Sequence, residues 1–521
     1  MAAGSAADLT MGKISKRQIF QNVVSSWFAL GVNIVVGVFL SPFILHRLGD
    51  AAFGIWILIF SITGYYGLFD LGIRSSVIRF VAKFSAIGDS ENLANVINTS
   101  LFAYTVIGTL TMLLTIVGAV YIDHLFKIPA EFHSVARWLF LIVGASVSVG
   151  FPTGVFAGAL EGLQRFALVY GLNVLAALVR AGGIVLALSH GHGLLMLALI
   201  TTIVPLITSL IRVWIALRIL RTPIGLRYLS RSTTRLMASH SGLTFMIVMS
   251  AQLRFQADEI IIGTLLSTSA ITFFSIGARI TDYASNVVLG ISQIFVPMAS
   301  QSEALGDAQG MRRILIAGNR ACAFVILPIC ATLIILGKSL IEVWVGARYI
   351  QQSYPVLVVL IIPMTLLLAQ AASTRMLLGT SQHRTLGIVQ VVEGVANVLL
   401  SIVLIRPYGI FGDALGTTIP LMCTVVLFLP RHASRKFGMN TFLFLREAYT
   451  LPLLVTVPML VTLVLEQHWF VPHRLAPLCV QILIPWGIYG ACFLWIYKSR
   501  RAFLIDPGSL NASEMAPSRS L

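Results

Sequence analysis

From about Ser25 to Tyr497 the chain repeats one pattern: a long apolar run, then a short polar connection. A hydrocarbon core of about 30 Å is crossed by about 20 helical residues. Fourteen runs of that size are counted, centred near Val35, Ser61, Thr109, Ser148, Ala177, Pro205, Ser250, Asn286, Phe324, Met364, Asn397, Pro420, Val457 and Trp486. Backbone N–H and C=O groups in lipid must be paired within their own segment, so each run is predicted to be a helix. The seventh and eighth differ from the rest in carrying charge. The expected fold class is all-α, a polytopic membrane protein of about 14 transmembrane helices.

Composition agrees. The 521 residues are 57% hydrophobic and 11% charged, with a mean hydropathy of +0.90, which excludes a soluble domain. The net charge of +16 raises the question of nucleic acid. The placement of Lys and Arg answers it, and no nucleic-acid partner is expected. Of the 36, 23 fall at the N-terminus, in the tail and in connections after even-numbered runs, and 7 fall in the odd-numbered connections. Lys and Arg are retained on the cytoplasmic side, so both termini are expected there, in the inner (plasma) membrane. The five cysteines lie in apolar runs at spacings that match no metal motif and read as small apolar fillers. The polar N-terminus has no short apolar stretch with a small-residue cleavage site, so no cleaved signal peptide is expected.

The expected organisation is a cytoplasmic segment over 1–22, a six-helix bundle over 23–220 and a basic linker over 221–240. A second six-helix bundle over 241–430, a basic link over 431–448, helices thirteen and fourteen over 449–497 and a cytoplasmic tail over 498–521 complete it. The two bundles read as repeats. Phe156–Arg165 aligns with Ser373–Gln382 at an offset of 217, placing Gly162 on Gly379, and Arg180 falls on Asn397 at the same offset. Leu71-Gly-Ile73 aligns with Leu289-Gly-Ile291 at 218.

Four motifs in order carry a resemblance. They are Phe43–Trp56 with Phe69-Asp-Leu-Gly-Ile73; Gly158-Ala-Leu-Glu-Gly-Leu-Gln-Arg165; Asp258-Glu-Ile-Ile-Ile-Gly263; and Tyr408-Gly-Ile-Phe-Gly-Asp-Ala-Leu-Gly416. Together they resemble polysaccharide-export flippases of the O-antigen, Wzx-like type. These belong to the MOP superfamily, which also holds MATE multidrug extruders and the lipid II flippase. The resemblance implies two six-helix repeats forming a V-shaped bundle, plus two extra C-terminal helices. It also implies movement of a polyprenyl-diphosphate-linked oligosaccharide across the inner membrane. One departure is Ser269-Ala-Ile271, where that family tends to have glycine before helix eight.

Charges inside the runs are the candidate chemistry, because a charge near the bilayer centre costs about 2.5–3.5 kcal/mol on insertion scales. In Gln252-Leu-Arg-Phe-Gln-Ala-Asp-Glu-Ile-Ile-Ile-Gly263, Arg254 and Asp258 are one helical turn apart and share a face, while Gln252, Gln256 and Glu259 cluster on the opposite one. Asp70 with Arg74, and Arg279 with Asp282, are two further local pairs. Asp70, Arg74 and Asp282 are read as members of structural pairs. Arg212, Arg320 and Arg375 lie near cytoplasmic helix ends and can snorkel. Arg180 is near the centre of its run with no local acid. Arg180, Arg254 and Arg279 are therefore the expected diphosphate and glycan contacts, since a guanidinium offers paired donors in a planar fork. Asp258 and Glu393 are the candidates for ion coupling, and simple buried pairing is the competing reading.

No catalytic residue, metal site or cofactor is expected, and the chain is read as a non-enzyme. No Walker-type Gly-rich Lys motif is present, which argues against ATP hydrolysis by this chain. His190-Gly-His192 reads as a plain turn. The expected partners are a lipid-linked oligosaccharide, membrane lipids and glycan polymerase or assembly proteins. Two readings compete with the flippase. A drug or small-solute antiporter on the same fold would depend on acids more than arginines. A polytopic glycan polymerase or transferase would need a sizeable extracytoplasmic loop, and the odd-numbered connections here are under about 20 residues.

Overall fold

The computed structural model describes residues 16–235, 237, 249, 256–380 and 383–499. Among these residues the regular structure is helical, with no strand. Seven helices come first: α1 (Lys16–Leu48), α2 (Asp50–Gly64), α3 (Ile73–Ala86), α4 (Ser90–Leu125), α5 (His133–Gly162), α6 (Phe166–Ser189) and α7 (Leu194–Leu220). After the linker follow α8 (Ala257–Leu265), α9 (Thr268–Ser292), α10 (Phe295–Ala304), α11 (Ala308–Val345), α12 (Ile350–Ala369) and α13 (Ala371–Gly379). The chain ends with α14 (His383–Met422), a π-helical turn (Cys423–Phe428), α15 (Leu429–Lys436), α16 (Thr441–Trp469) and α17 (Leu475–Ser499).

Eleven stretches among the described residues are long and apolar enough to cross a membrane, so the protein is multi-pass. That is fewer than the fourteen expected, for identifiable reasons. The stretch Thr385–Lys436 counts once, yet Gly409 is non-helical there (φ 58°, ψ −140°) and the chain doubles back at it. A side chain on Gly412 would meet the Leu404 carbonyl at 2.0 Å, and one on Gly416 would meet the Ser401 amide nitrogen at 2.5 Å, so the two arms of α14 touch through glycine. The expected seventh run lies partly on residues outside the described set, and α9, the eighth, carries Arg279 and Asp282.

The duplication has a structural signature. Ala86-Ile-Gly-Asp89 and Ala304-Leu-Gly-Asp307 are 218 residues apart. Gly88 and Gly306 take left-handed φ values of 71° and 66°, a conformation that glycine adopts without a Cβ penalty. Asp89 N–H donates to Phe84 O at 2.9 Å, and Asp307 N–H to Ser302 O at 3.0 Å. Each aspartate then caps the next helix, accepting from Asn92 N at 3.0 Å and from Gly310 N at 2.7 Å. Gly162 and Gly379 also match: an added Cβ would lie 2.8 Å from Ile78 O in α3 and 2.7 Å from Val296 O in α10. The Leu71-Gly-Ile73 alignment does not survive. Leu71 and Gly72 are left-handed and break the chain before α3, whereas Leu289-Gly-Ile291 lies inside α9.

Two compact units emerge, Met1–Thr272 and Phe273–Leu521. Within the first unit, the start of α9 packs on α2. Gly54 admits the Thr268 carbonyl, which would lie 1.8 Å from an added Cβ, and Thr272 Oγ1 donates to Asp50 O at 2.8 Å. The first unit's core joins α3, α4, α5 and α7 through Val77, Phe80, Ile97, Leu160 and Ala216. In the second unit, α16 and α17 pack on α11 through Met459, Leu463, Leu478 and Leu336. Tyr489 Oη donates to Phe324 O at 2.6 Å, and Trp486 Nε1 to Thr332 Oγ1 at 3.1 Å.

Candidate functional site

Arg180 sits in α6, whose sequence is otherwise almost wholly apolar. Among the described residues it forms no hydrogen bond and no ion pair. Gly183, one turn further along, packs against Ile200 of α7. The next residues, Thr201 and Thr202, line a cavity of about 210 Å³ with Thr63 of α2 and Ser146 and Val143 of α5. Thr63 and Thr201 donate to their own helices, to Ile59 O at 2.8 Å and Leu197 O at 2.9 Å, which leaves their oxygens as acceptors. The other arginines read as snorkelling all have partners. Arg212 donates to Asn173, Arg320 to the Glu447 carbonyl at 3.2 Å, and Arg375 to Ser292 Oγ at 3.3 Å.

Asp70 and Arg74 meet through the Arg74 backbone, and the guanidinium turns elsewhere. The Arg74 guanidinium reaches Glu161 Oε1 of α5 at 2.6 Å. Asp70 accepts from the Arg74 backbone N–H at 3.3 Å and from the Tyr104 hydroxyl. Arg212 is within electrostatic reach of Arg74 and Glu161. The cluster holds two acids and two arginines, so it is neutral and ties α3, α4, α5 and α7 at one end.

Of the charged stretch in the seventh run, Arg254 lies outside the described residues. Asp258 and Glu259 occupy the first turn of α8, where the helix dipole favours negative charge. Asp258 is buried. Gln256 presses on Gly64 of α2, its Oε1 lying 1.9 Å from where a Cβ would be. At the other end, Lys127 Nζ donates to Leu265 O at 2.5 Å, and Lys127 N–H to Gly263 O at 3.0 Å. These contacts anchor α8 at both ends.

In the second unit a polar ladder runs through the α14 hairpin. Glu393, Asn397 and Ser401 follow at four-residue steps on one arm, with Asp413 and Thr417 on the other, and all five are buried. Ser401 Oγ donates to Asn397 Oδ1 at 3.1 Å or to the Asp413 carbonyl at 3.2 Å, and Thr417 Oγ1 lies 3.3 Å from Asn397 Oδ1. The set is rich in oxygen, which suits a hard cation or a proton. Asp413 and Thr417 were not among the expected site residues, although Asp413 lies within the Tyr408–Gly416 motif. Arg279 and Asp282 interact electrostatically on α9. Among the described residues no group of three His, Cys, Asp or Glu could hold a metal ion.

A family model described as polysaccharide biosynthesis protein matches residues 44–354. The membrane protein EpsK of Bacillus subtilis (strain 168) is 21% identical over 430 residues, covering 82% of this chain and 85% of its own. A protein named as an O-antigen transporter from Shigella flexneri is 20% identical over 419 residues, covering 78% and 96%. The fold is that of MOP-superfamily proteins. The lipid II flippase MurJ in an inward closed conformation superposes with a TM-score of 0.67 at 16% identity, covering 92% of this chain and 99% of its own. An inward-facing MATE multidrug transporter also gives 0.67, at 15% identity over 78% and 94%. With more than half its length matched, this chain belongs to the polysaccharide biosynthesis protein family.

Proposed function

We propose that this protein is a flippase that carries a polyprenyl-diphosphate-linked oligosaccharide from the cytoplasmic to the periplasmic leaflet of the inner membrane, with both termini cytoplasmic. The observation that carries the reading is Arg180, a guanidinium inside an apolar helix with no partner among the described residues. A permanent cation kept there is suited to an anion that enters from outside the fold, and a diphosphate accepts its paired donors. In the same unit, the cavity lined by Thr63, Ser146, Thr201 and Thr202 offers hydroxyl oxygens of the kind that bind sugars. Arg254 and Arg279 are assigned to the same substrate. Family membership, the name of the Shigella relative and the MurJ-like fold support the class of activity.

The buried ladder that holds Glu393, Asn397 and Thr417 serves coupling, with a proton or monovalent cation as the coupled ion. Asp258 is the second candidate. The test is mass spectrometry of lipid extracts from cells lacking the gene, complemented with variants. Accumulation of a complete polyprenyl-diphosphate oligosaccharide is expected, with Arg180→Ala complementing roughly 10- to 100-fold less well, the worth of a charged hydrogen bond. Glu393→Gln is expected to remove the ion dependence of flipping. An intact surface glycan without accumulation would overturn the proposal in favour of an antiporter.

A further inference from the structure

The geometry points to a second anion site in the second unit, at the π-helical turn, that takes the phosphate headgroup of an anionic bilayer phospholipid. The turn exists for a stated reason. Leu429 N–H bonds to Thr424 O, five residues back. The next donor in that pattern is Pro430, which has no N–H. Its acceptor, the Val425 carbonyl, is satisfied instead by Gln370 Nε2 at 2.8 Å from the α12–α13 junction. The wide turn is thus held from outside, and π-turns recur at functional sites.

From the end of this turn into α15, two rows at four-residue spacing share one face: Leu427, Arg431 and Arg435, and Phe428, His432 and Lys436. They line a cavity of about 450 Å³. Three of the six are permanent cations and none is an acid. The Phe428 ring stacks on His432 with centroids 4.9 Å apart at 15°. The His432 Nε2 atom is buried without a hydrogen-bond partner among the described residues. The wall of the cavity continues into apolar surface rather than water: Val426 is 50% exposed and Leu427 55% exposed, inside a stretch apolar enough to span the membrane. A soluble anion has no use for that wall, whereas a phospholipid lays its acyl chains on it and its phosphate among the arginines. Basic pockets at the cytoplasmic ends of membrane helices bind anionic headgroups in this way. The Lys and Arg bias assigns this end of α14 to the cytoplasmic side.

The purified full-length protein is incubated with phosphatidylglycerol or phosphatidylcholine and read by native mass spectrometry. Adducts are expected with phosphatidylglycerol and not with phosphatidylcholine. Arg431→Gln with Arg435→Gln should weaken them about 30-fold, at the usual worth of a basic residue near an anionic lipid surface. Lys436→Gln alone, on an exposed side chain that folding tolerates, should weaken them about 5-fold. Val426→Gln with Leu427→Gln should weaken lipid adducts while leaving competition by inorganic phosphate unchanged. Equal adducts with both lipids, or adducts undiminished in the arginine and lysine variants alike, would overturn the site. Displacement by equimolar inorganic phosphate, with no effect of the Val426 and Leu427 changes, would overturn its assignment to lipid.

Discussion

Gly162 and Gly379 end the corresponding helices α5 and α13, and each faces the backbone of a neighbour. Replacing either by alanine places a methyl 2.8 Å from Ile78 O or 2.7 Å from Val296 O, inside van der Waals contact and against atoms that no side-chain rotation can move. Val81 adds a second obstruction at 3.1 Å from the Gly162 position. Relief requires the helices to separate, and overpacking of this kind costs about 1–3 kcal/mol. For a unit of roughly 250 residues, that corresponds to a fall in Tm of about 2–12 °C. Gly150 supplies the internal control. It lies in the same helix as Gly162 and nothing is within 4 Å of its added Cβ, so alanine there should stabilise by up to about 1 kcal/mol through helix propensity. The assay is thermal unfolding of the detergent-solubilised protein, followed by size-exclusion chromatography of what remains monodisperse. Gly162→Ala and Gly379→Ala should fall together while Gly150→Ala holds or rises. Equal melting temperatures for all three variants would refute the claim that these glycines are fixed by close backbone approach.

Four other outcomes follow from single contacts. Asp307→Ala removes the cap of α11 and should lower stability by about 1 kcal/mol in the same assay, with Asp307→Ser restoring it. Tyr489→Phe leaves the Phe324 carbonyl without its donor and should cost about 1–3 kcal/mol, loosening α17 from α11 and raising hydrogen exchange there. Gln370→Leu strips the donor from Val425 and should cost a similar 1–3 kcal/mol, with exchange rising around Cys423–Phe428. The Arg74–Glu161 pair should yield a coupling of less than about 1 kcal/mol in a double-mutant cycle, because the Arg74 side chain is 49% exposed and solvent screens the attraction.

Long apolar runs, the glycine motifs and the isolation of Arg180 could all be read before any coordinates, because each depends on residues close together in the chain. The partner of Arg74 could not. Asp70 is four residues away and Glu161 is 87, and nothing local says which carboxylate the guanidinium will reach. The same holds for the packing of Gly54 on Thr268, residues 214 apart in the chain. The π-helical turn also hides, since Pro430 announces a break but not that Gln370, 55 residues before Val425, donates to the carbonyl that Pro430 cannot reach. The paired Gly-Asp turns at 88–89 and 306–307 are short matches in the letters, and such matches carry weight only once their hydrogen bonds coincide.

Those paired turns also bear on ancestry. Two corners retaining the same left-handed glycine and the same capping aspartate imply that the halves descend from one gene whose corner could not be redrawn, while the interior letters drifted until Arg180 in one half aligned with Asn397 in the other. The corner geometry is common to both halves, while the residues at 180 and 397 are not. A chimera that exchanges whole halves between distant relatives at such corners should assemble more readily than one cut inside a helix, and it offers a direct way to ask what each half contributes to activity.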